Sequence, residues 1–166
     1  MSVRTMSDTR EAIEKYTRLV YGLAIAHTPS RSDADDAFQE TFLAYHRCGR
    51  HWNCEEHRKA WLIRTAVNMS KRIVFSSWRR RSAPLEDADG QWVEFKYETA
   101  EQNEIIGAVK SLPEKYRTAI WLYYFEDMSV KEIASAIGIS ESTVRSQLTR
   151  GRNMLRGILG SEVDYL

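Results

Sequence analysis

The feature that most constrains the fold is the spacing of apolar residues between Met128 and Leu155. A small residue, Ala134, would let two helices cross closely, and Gly138 supplies the left-handed backbone that a tight turn requires. The segment therefore predicts a helix-turn-helix. The apolar positions before the glycine are Ile133, Ala134 and Ile137, and those after it are Ile139, Val144 and Leu148.

Capping residues mark where the helices in this second half of the chain begin and end. Ser129 and Glu132 have the spacing of a capping box, which opens a helix over Val130–Ile137, and Ser140 or Glu141 begins a last helix that runs to about residue 159. Ser111 and Glu114 have the same spacing and predict the start of an earlier helix, with a proline in its first turn. A helix with apolar residues at 105, 106, 109 and 112 precedes it.

The first half of the chain also has helical periodicity. Apolar spacing predicts one helix from about residue 8 to 27, and a turn over 28–33 offers Ser30 and Ser32 as N-caps. A short second helix follows, then a loop over 48–56 and a helix reaching about Trp78. The apolar stripe of the second helix consists of Ala34, Ala37, Phe38, Thr41, Phe42 and Tyr45. With no strand signal in the sequence, the predicted fold is all-α.

Charge is distributed unevenly along the 166 residues. Residues 1–81 carry 15 Lys or Arg against 9 Asp or Glu, residues 82–103 carry 1 against 6, and residues 104–166 carry 8 of each. From 82 to 100 the helical pattern also fails, because Pro84, Gly90 and several acidic residues interrupt it. We therefore expect two small helical domains, residues 1–81 and 101–166, joined by a flexible acidic linker over 82–100.

Several function classes are disfavoured. No apolar run approaches the about 20 residues that span a bilayer, and the N-terminus is charged at once, unlike a signal peptide. A cytoplasmic protein without membrane insertion is expected, with its two cysteines reduced. The chain has no glycine-rich phosphate loop, nucleophile elbow or metalloprotease histidine pair, so we expect neither an enzyme nor a bound cofactor.

The last predicted helix has the composition of a DNA-recognition helix. Residues 141–159 hold four arginines and one acidic residue, so the helix can approach phosphates while its N-terminal side chains reach base edges. An ordinary solvated face is the alternative interpretation. The candidate contacts are Ser142, Thr143, Arg145, Ser146, Thr149, Arg150 and Arg152.

Four blocks in order resemble one family across residues 10–158. Residues 33–43 (DADDAFQETFL) and 60–68 (AWLIRTAVN) look like region 2 of the extracytoplasmic-function group of sigma factors, in the sigma-70 superfamily. Residues 112–117 (LPEKYR) and a fourth block, made of 129–134 (SVKEIA) with 142–146 (STVRS) and 150–152 (RGR), look like region 4 of the same group. This resemblance implies a promoter-specificity subunit of RNA polymerase that responds to stress or envelope signals.

The resemblance also implies partners and their contact residues. Core RNA polymerase would be bound through the clamp helices of its largest subunit and through its flap, and an anti-sigma factor is a possible further partner. The implied polymerase contacts are Asp36, Gln39, Glu40 and Phe42, with Thr41 on the same face. Promoter DNA at the minus-35 element would meet the last helix.

The minus-ten element, where the non-template strand is melted, would meet the third helix and the loop before it. An amide such as that of Asn68 can pair with the edge of a flipped base, and Trp52 can stack on one. Trp61 is expected in the core. The implied minus-ten contacts are Trp52, Arg64, Asn68, Lys71, Arg72, Arg79 and Arg80.

The loop departs from the family's usual pattern in its cysteine and histidine content. His46, Cys48, His51, Cys54 and His57 fall within twelve residues, and Cys and His are suitable zinc ligands. Their spacing matches no established zinc motif, so scattered loop residues are the favoured interpretation, with metal binding or a thiol switch as the alternative.

Two other functions compete with the promoter-specificity hypothesis. A decoy that titrates an anti-sigma factor would not need cations on the recognition helix, whereas this chain keeps Arg145, Arg150 and Arg152. An ordinary dimeric operator-binding regulator would leave the block around Asp36, Gln39 and Phe42 unexplained.

Overall fold

The computed structural model describes residues 3–81 and 100–160, and within these ranges it contains seven α-helices and no strand. The predicted all-α class is confirmed. The helices are α1 (Met6–His27), α2 (Arg31–Arg47), α3 (Glu55–Arg81), α4 (Ala100–Ser111), α5 (Glu114–Tyr124), α6 (Val130–Ile137) and α7 (Glu141–Leu159).

The helices form two compact units, one holding α1 to α3 and one holding α4 to α7. Two domains were expected from the failure of helical periodicity after residue 81. The acidic linker itself lies outside the described residues, apart from Ala100, where α4 begins. The bounds of the two domains therefore stay a prediction.

The first unit is a three-helix bundle in which each helix packs against the other two. Thr5 caps α1 and Ser30 caps α2, each accepting a hydrogen bond from the backbone three residues on. The core between the helices is apolar and aromatic. Its fully buried side chains include Val20, Leu23, Tyr45, Leu62 and Ile63.

Two helices of this unit are longer than their apolar stripes. Helix α2 has 17 residues, so the expectation of a short helix was wrong, and Ser30 rather than Ser32 is its cap. Helix α3 begins at Glu55, inside the stretch predicted as loop, with Glu55 and Glu56 in its first turn. Acidic residues there interact favourably with the helix dipole. Apolar periodicity marks only the buried face, and so it misses helix ends that lie in solvent.

The second unit contains the predicted helix-turn-helix, formed by α6 and α7. The capping box of Ser129 and Glu132 is present with both of its hydrogen bonds, and Ser140 caps α7. Gly138 has a φ of 74°, the left-handed conformation inferred from the sequence. Val144 and Leu148 of α7 and Ile133 of α6 are buried. The local signals of this motif were therefore sufficient to predict it.

The capping box predicted at Ser111 was wrong. The Ser111 hydroxyl donates to the carbonyl of Ala108 at the end of α4, and α5 has Pro113 as its N-cap with no side-chain hydrogen bond. Arg117 donates to the carbonyl of Leu112 instead, at 2.8 Å. Ser111 ends one helix rather than opening the next, because α4 continues up to it.

A glycine inside α7 lets that helix pass close to α5. A Cβ added at Gly151 would lie 2.8 Å from Cγ1 of Ile120, a fully buried core residue. Real Cβ atoms essentially never approach a heavy atom so closely. The glycine between two candidate DNA-binding arginines thus has a packing role.

Among the described helices, none combines the length and the apolar character that crossing a bilayer would take.

Candidate nucleic-acid interface

A stripe of polar and cationic side chains runs along α3. Arg64, Asn68 and Lys71 are exposed and follow one another at intervals of four and three residues, so they share one helix face. From residue 57 to residue 81 the sequence holds eight Lys or Arg and no Asp or Glu. The stripe can therefore bind a polyanion with little competition from its own helix.

Two exposed aromatic residues continue this stripe. Phe75 and Trp78 follow Lys71 at intervals of four and three, and their side chains are 59% and 63% exposed. Their rings stack with centroids 6.3 Å apart, and the guanidinium of Arg79 lies 5.5 Å from the Phe75 ring. Phe75 was not singled out from the sequence, although its spacing from Asn68 and Lys71 carries the signal.

Arg72, four residues after Asn68, and Arg80 also border a second surface feature of α3. They line a groove of about 610 Å³ between α2 and α3, opposite the exposed acidic and amide side chains of Asp36, Gln39 and Glu40. The sequence assigned these arginines to DNA and the α2 residues to polymerase. The structure brings both sets together in one groove, whose remaining lining residues are Met69, Ile73, Phe75 and Ser76.

Phe42 and Thr41 belong to the core rather than to the α2 surface. Phe42 is 5% exposed and packs edge to face on Phe38 at 5.0 Å, and Thr41 is fully buried with its hydroxyl donating to the carbonyl of Ala37 at 2.7 Å. Neither side chain is available to a polymerase helix in this conformation. The apolar stripe of α2 had already placed both residues on its buried face.

Trp52, in the loop 48–54 between α2 and α3, is half-buried in an aromatic cluster. Its ring is nearly parallel to that of Tyr45, with centroids 6.4 Å apart, and tilted against Trp61 at 5.5 Å. Its indole N–H is buried and finds no acceptor among the described residues. The loop thus holds Trp52 against the bundle instead of extending it into solvent.

Arg4 fastens this loop to the bundle. Its guanidinium lies 4.3 Å from the centre of the Tyr45 ring and 5.4 Å from that of Trp52. It donates to the carbonyl of Tyr45 at 3.2 Å, to the carboxylate of Asp8 at 2.6 Å and to the carbonyl of Arg50. Burial lowers the pKa of Arg4, but its interactions with Asp8, Cys48 and Tyr45 together outweigh this effect, so the pKa is raised. No pattern in the sequence predicted this contact.

A second arginine ties the start of α3 to α1. Arg58 is 8% exposed and donates to Glu11 at 2.6 Å, while Glu55 lies 3.5 Å away. The Tyr16 hydroxyl donates to Glu55, and this bond, more than the nearby cations Lys15 and Arg58, lowers the pKa of Glu55. Burial and the same bond raise the pKa of Tyr16. The loop 48–54 is therefore held at both of its ends.

The cysteine and histidine residues around this loop do not form a metal site. No group of three or more His, Cys, Asp or Glu side chains within residues 3–81 and 100–160 is arranged to hold a metal ion. His46 lies 2.7 Å from the Thr9 hydroxyl, the Cys48 thiol donates to the carbonyl of Tyr45 at 3.2 Å, and Cys48 and Cys54 are free thiols.

The N-terminal half of α7 presents an exposed polar face. Ser142, Thr143, Arg145, Ser146, Thr149 and Arg150 are all exposed. Arg145 forms an ion pair with Glu141 one turn earlier at 3.1 Å, an exposed contact of the kind that stabilises a helix only weakly. Arg145 is therefore held at the helix surface by a contact that a phosphate could replace.

Arg152 and Arg150 instead contact α5. Arg152 is half-buried, its Nε donates to the Tyr124 hydroxyl at 2.6 Å, and its guanidinium lies 5.7 Å from the rings of Tyr123 and Tyr124. A hydrogen bond from Arg150 lowers the pKa of Tyr116. Of the predicted α7 contacts, Arg152 is thus the one whose cation is most engaged within the protein.

Solved structures share this fold. The sigma factor RpoE in complex with the anti-sigma factor NepR, from Bartonella quintana, superposes with a TM-score of 0.66 at 21% identity, covering 95% of this chain and 99% of that one. CnrH in complex with the cytosolic domain of CnrY gives a TM-score of 0.66 at 19% identity, covering 95% of this chain and 91% of that one.

Sequence relatives carry sigma-factor names. ECF RNA polymerase sigma factor SigM of Bacillus subtilis is 29% identical, over 93% of this chain and 96% of its own length. The ECF RNA polymerase sigma-E factor of Haemophilus influenzae is 29% identical, over 86% of this chain and 82% of its own length. SigE of Mycolicibacterium smegmatis is 28% identical over 90% of this chain, which spans 60% of that longer relative.

Family models match both described units. The model of sigma-70 region 2 matches residues 12–82, which include most of α1 to α3, and the model of sigma-70 region 4 matches residues 102–155, which include the helix-turn-helix. The two regions occur in the order that the sequence blocks predicted. The chain belongs to the sigma-70 family, in its extracytoplasmic-function group.

Proposed function

We propose that this protein is a promoter-specificity subunit that binds core RNA polymerase and directs initiation at a particular set of promoters. The observation that carries the proposal is the presence of two DNA-suited surfaces in one sigma-family chain, the basic stripe of α3 and the exposed N-terminal half of α7. The chemistry of RNA synthesis belongs to the polymerase. We place the protein in the cytoplasm, under the control of stress or envelope signals.

Core polymerase would dock in the groove between α2 and α3. The groove offers Asp36 and Glu40 on one side and Arg72 and Arg80 on the other. A partner helix with charges of both signs, such as a clamp helix of the largest subunit, could pair with both sides. Phe42 would support α2 from the core and would not touch the partner.

Minus-ten DNA would meet the stripe of α3 and the loop 48–54. Asn68 presents an amide that can hydrogen-bond a base edge, and Arg64 and Lys71 flank it as phosphate contacts. Trp52 borders the same region, in a loop held by Arg4 and next to a cavity of about 540 Å³ that both residues line. Minus-ten recognition would then use a preformed site rather than one assembled on binding.

Minus-35 DNA would meet α7 in the major groove. Side chains near the N-terminus of a recognition helix reach base edges, which favours Ser142, Thr143 and Arg145 as the reading residues. Ser146, Thr149 and Arg150 lie where they can follow the phosphates. Arg152 braces α7 against α5 through Tyr124 and contributes to DNA binding mainly by holding the helix in place.

An anti-sigma factor is a further proposed partner. Two solved structures of the same fold are complexes, one of RpoE with the anti-sigma factor NepR and one of CnrH with the cytosolic domain of CnrY. A protein that covers the groove between α2 and α3 would block polymerase docking and leave Arg64, Asn68 and Lys71 uncovered. Addition of such a factor should reduce polymerase binding more than it reduces binding of isolated promoter DNA.

Run-off transcription on a genomic DNA library, with purified core polymerase and with or without this protein, tests the proposed function. Discrete new start sites that share two spaced promoter elements are the expected result. Binding to core enzyme without any new start would support the decoy. Operator binding without core binding would support the dimeric regulator.

Two substitutions test the division of labour between the units. Arg145→Ala should weaken binding of minus-35 duplex about tenfold, since a base contact contributes about 1–3 kcal/mol. Asn68→Ala should impair opening of the minus-ten element by a similar factor while polymerase affinity stays unchanged. An equal loss of polymerase binding in both variants would contradict this division.

A further inference from the structure

The N-terminal segment, residues 3–9, is attached to the end of α2 next to the loop 48–54. It precedes residue 12, where the match to sigma-70 region 2 begins. The backbone N–H of Arg4 donates to the carbonyl of His46 at 3.1 Å, and the Thr9 hydroxyl lies 2.7 Å from Nδ1 of His46. These bonds place Arg4 beside the loop independently of its own side chain.

The side chain of Arg4 is 9% exposed and restrains the loop in two ways. Its N–H groups donate to the carbonyls of Tyr45 and Arg50, and its guanidinium carbon lies over the rings of Tyr45 and Trp52. A planar guanidinium can donate hydrogen bonds in fixed directions while it lies against an aromatic ring, a combination that a compact ammonium does not reproduce. Arg4 therefore holds both the backbone of the loop and the aromatic ring that the loop carries.

The backbone of the loop depends on this arginine. Among the described residues, no backbone-to-backbone hydrogen bond involves residues 49–53, and the hydrogen bond that reaches this stretch is the one from Arg4 to the carbonyl of Arg50. Trp52 also packs on two neighbouring rings, but its indole N–H has no acceptor among the described residues. Segments with few hydrogen bonds open at low free-energy cost. Loss of Arg4 should therefore let the loop adopt several conformations.

Arg4 itself is not placed to bind DNA. One of its N–H groups donates to the Asp8 carboxylate at 2.6 Å, so its charge is already paired. A phosphate contact needs donors that DNA can reach, whereas the donors of Arg4 are directed at oxygen atoms of the protein. An effect of Arg4 on DNA recognition would therefore act through the loop.

We propose that Arg4 is a positioning residue that determines how strictly the minus-ten element is read. This proposal rests on the proposed function, in which the loop 48–54 borders the minus-ten site. A site held in one geometry rejects a base that does not fit, because the misfit leaves polar groups unpaired or brings atoms into collision. A loop that can move adapts to several bases, so the differences in affinity between them become small. Arg4 thus makes the loop selective without touching the DNA.

The test uses the full chain bound to core polymerase and compares base preferences. The probes are non-template-strand oligonucleotides of the strongest promoter recovered by run-off transcription, each with one minus-ten base replaced. The wild type should bind a preferred base about 5- to 150-fold more tightly than the others. Arg4→Ala should reduce this ratio about tenfold, or to unity where it is smaller, because charge-assisted hydrogen bonds to the loop are lost. The reduction should occur at the position that Trp52→Ala also affects, while the other positions keep their ratios.

Further variants separate positioning from charge and from folding. Arg4→Lys keeps the charge but not the planar fork, so its base preferences should resemble those of Arg4→Ala. In the Trp52→Ala background, Arg4→Ala should no longer weaken binding of the preferred probe, because Arg4 acts through that residue. Arg10→Ala, at an exposed position on α1, is the matched control and should keep the wild-type preferences. Hydrogen exchange of the α3 peptides verifies that Arg4→Ala is folded.

Wild-type preferences at every position in Arg4→Ala would overturn the proposal. Equal weakening of all probes with a shallower salt dependence would also overturn it, since that result marks a phosphate contact. A loss of preference spread over every minus-ten position would overturn it as well and assign Arg4 to the stability of the whole unit.

Failure of the proposed function would appear earlier, as absence of new start sites with the wild type. In that case a selection by the free protein from short random single-stranded oligonucleotides decides the proposal. The wild type should enrich a narrower set of sequences than Arg4→Ala does. Equally broad sets from the two proteins would overturn the role of Arg4.

Discussion

The two helical units hold their DNA-facing helices by different kinds of contact. In the unit of α1 to α3, Arg58 bonds to Glu11 across 47 residues of sequence and Arg4 bonds to Arg50 across 46. In the unit of α4 to α7, capping bonds join Ser129 to Glu132, three residues apart, Arg152 bonds to Tyr124 across 28 residues, and an apolar core packs the helices together. Both units have capped helices and apolar cores, but the polar contacts of the first unit span more of the chain.

This difference predicts different sensitivities to mutation. Deleting a buried cation should damage the first unit and leave the second unchanged, whereas changing volume or a cap should do the reverse. Hydrogen exchange of the full chain, measured peptide by peptide, reports the opening free energy of each unit in one experiment.

Arg58→Ala should have the largest effect. It removes both ion pairs of a buried guanidinium and leaves a void beside Tyr16, and we expect the α1 to α3 peptides to lose about 3 kcal/mol of opening free energy. Peptides of α4 to α7 should be unchanged. Arg10→Ala, at an exposed position on α1, is the control. If these peptides lost only about 0–1 kcal/mol of opening free energy, as for a surface ion pair, the long-range contacts would stabilise the unit less than their burial suggests.

Gly151→Ala should destabilise the second unit by about 1–2 kcal/mol, because the added Cβ collides with Ile120 and this outweighs the gain of helix propensity. Gly157→Ala on the same helix meets nothing within 4 Å and should be neutral or stabilising by up to about 1 kcal/mol. Urea unfolding of both variants gives the comparison. Equal effects would show that close packing of α7 on α5 is not what requires a glycine.

Arg4→Ala should reduce protection of the loop 48–54 by about 1–2 kcal/mol, because charge-assisted hydrogen bonds to the loop are lost. Peptides from the middle of α3 should change less than the loop. Arg4→Lys keeps the charge but not the planar fork, so it should restore only a minor part of the protection. Full restoration by lysine would mean that charge alone holds the loop.

Ser129→Ala should have the smallest effect, about 1 kcal/mol in the second unit, as for the loss of an N-cap. Ser135→Ala, at an exposed position within the same helix, should be neutral or slightly stabilising. Thermal unfolding and a separate hydrogen-exchange experiment measure the stability of both variants. If Ser129→Ala also altered the α1 to α3 peptides, the contrast between local and long-range support would fail.

The placement of candidate-site residues was predictable where it depended only on the geometry of a single helix. The spacing of Arg64, Asn68 and Lys71 placed them on one face, and the structure has them so. Arg72 and Arg80 also line the groove with Asp36, and their assignment to minus-ten DNA stays a prediction. Phe42 shows the reverse case, in which the apolar stripe of α2 was a better guide to its burial than the resemblance.

What the sequence determined is the helical class, the helix-turn-helix and the bounds of α6 and α7, because caps, glycine and apolar periodicity act over three or four residues. What only the tertiary structure decided is which distant side chains meet. Arg4 finds Tyr45 in α2 and Arg50 in the loop 48–54, Arg58 finds Glu11, and Arg152 finds Tyr124. The physical reason is that such contacts form only after the helices have packed, so no short-range pattern records them.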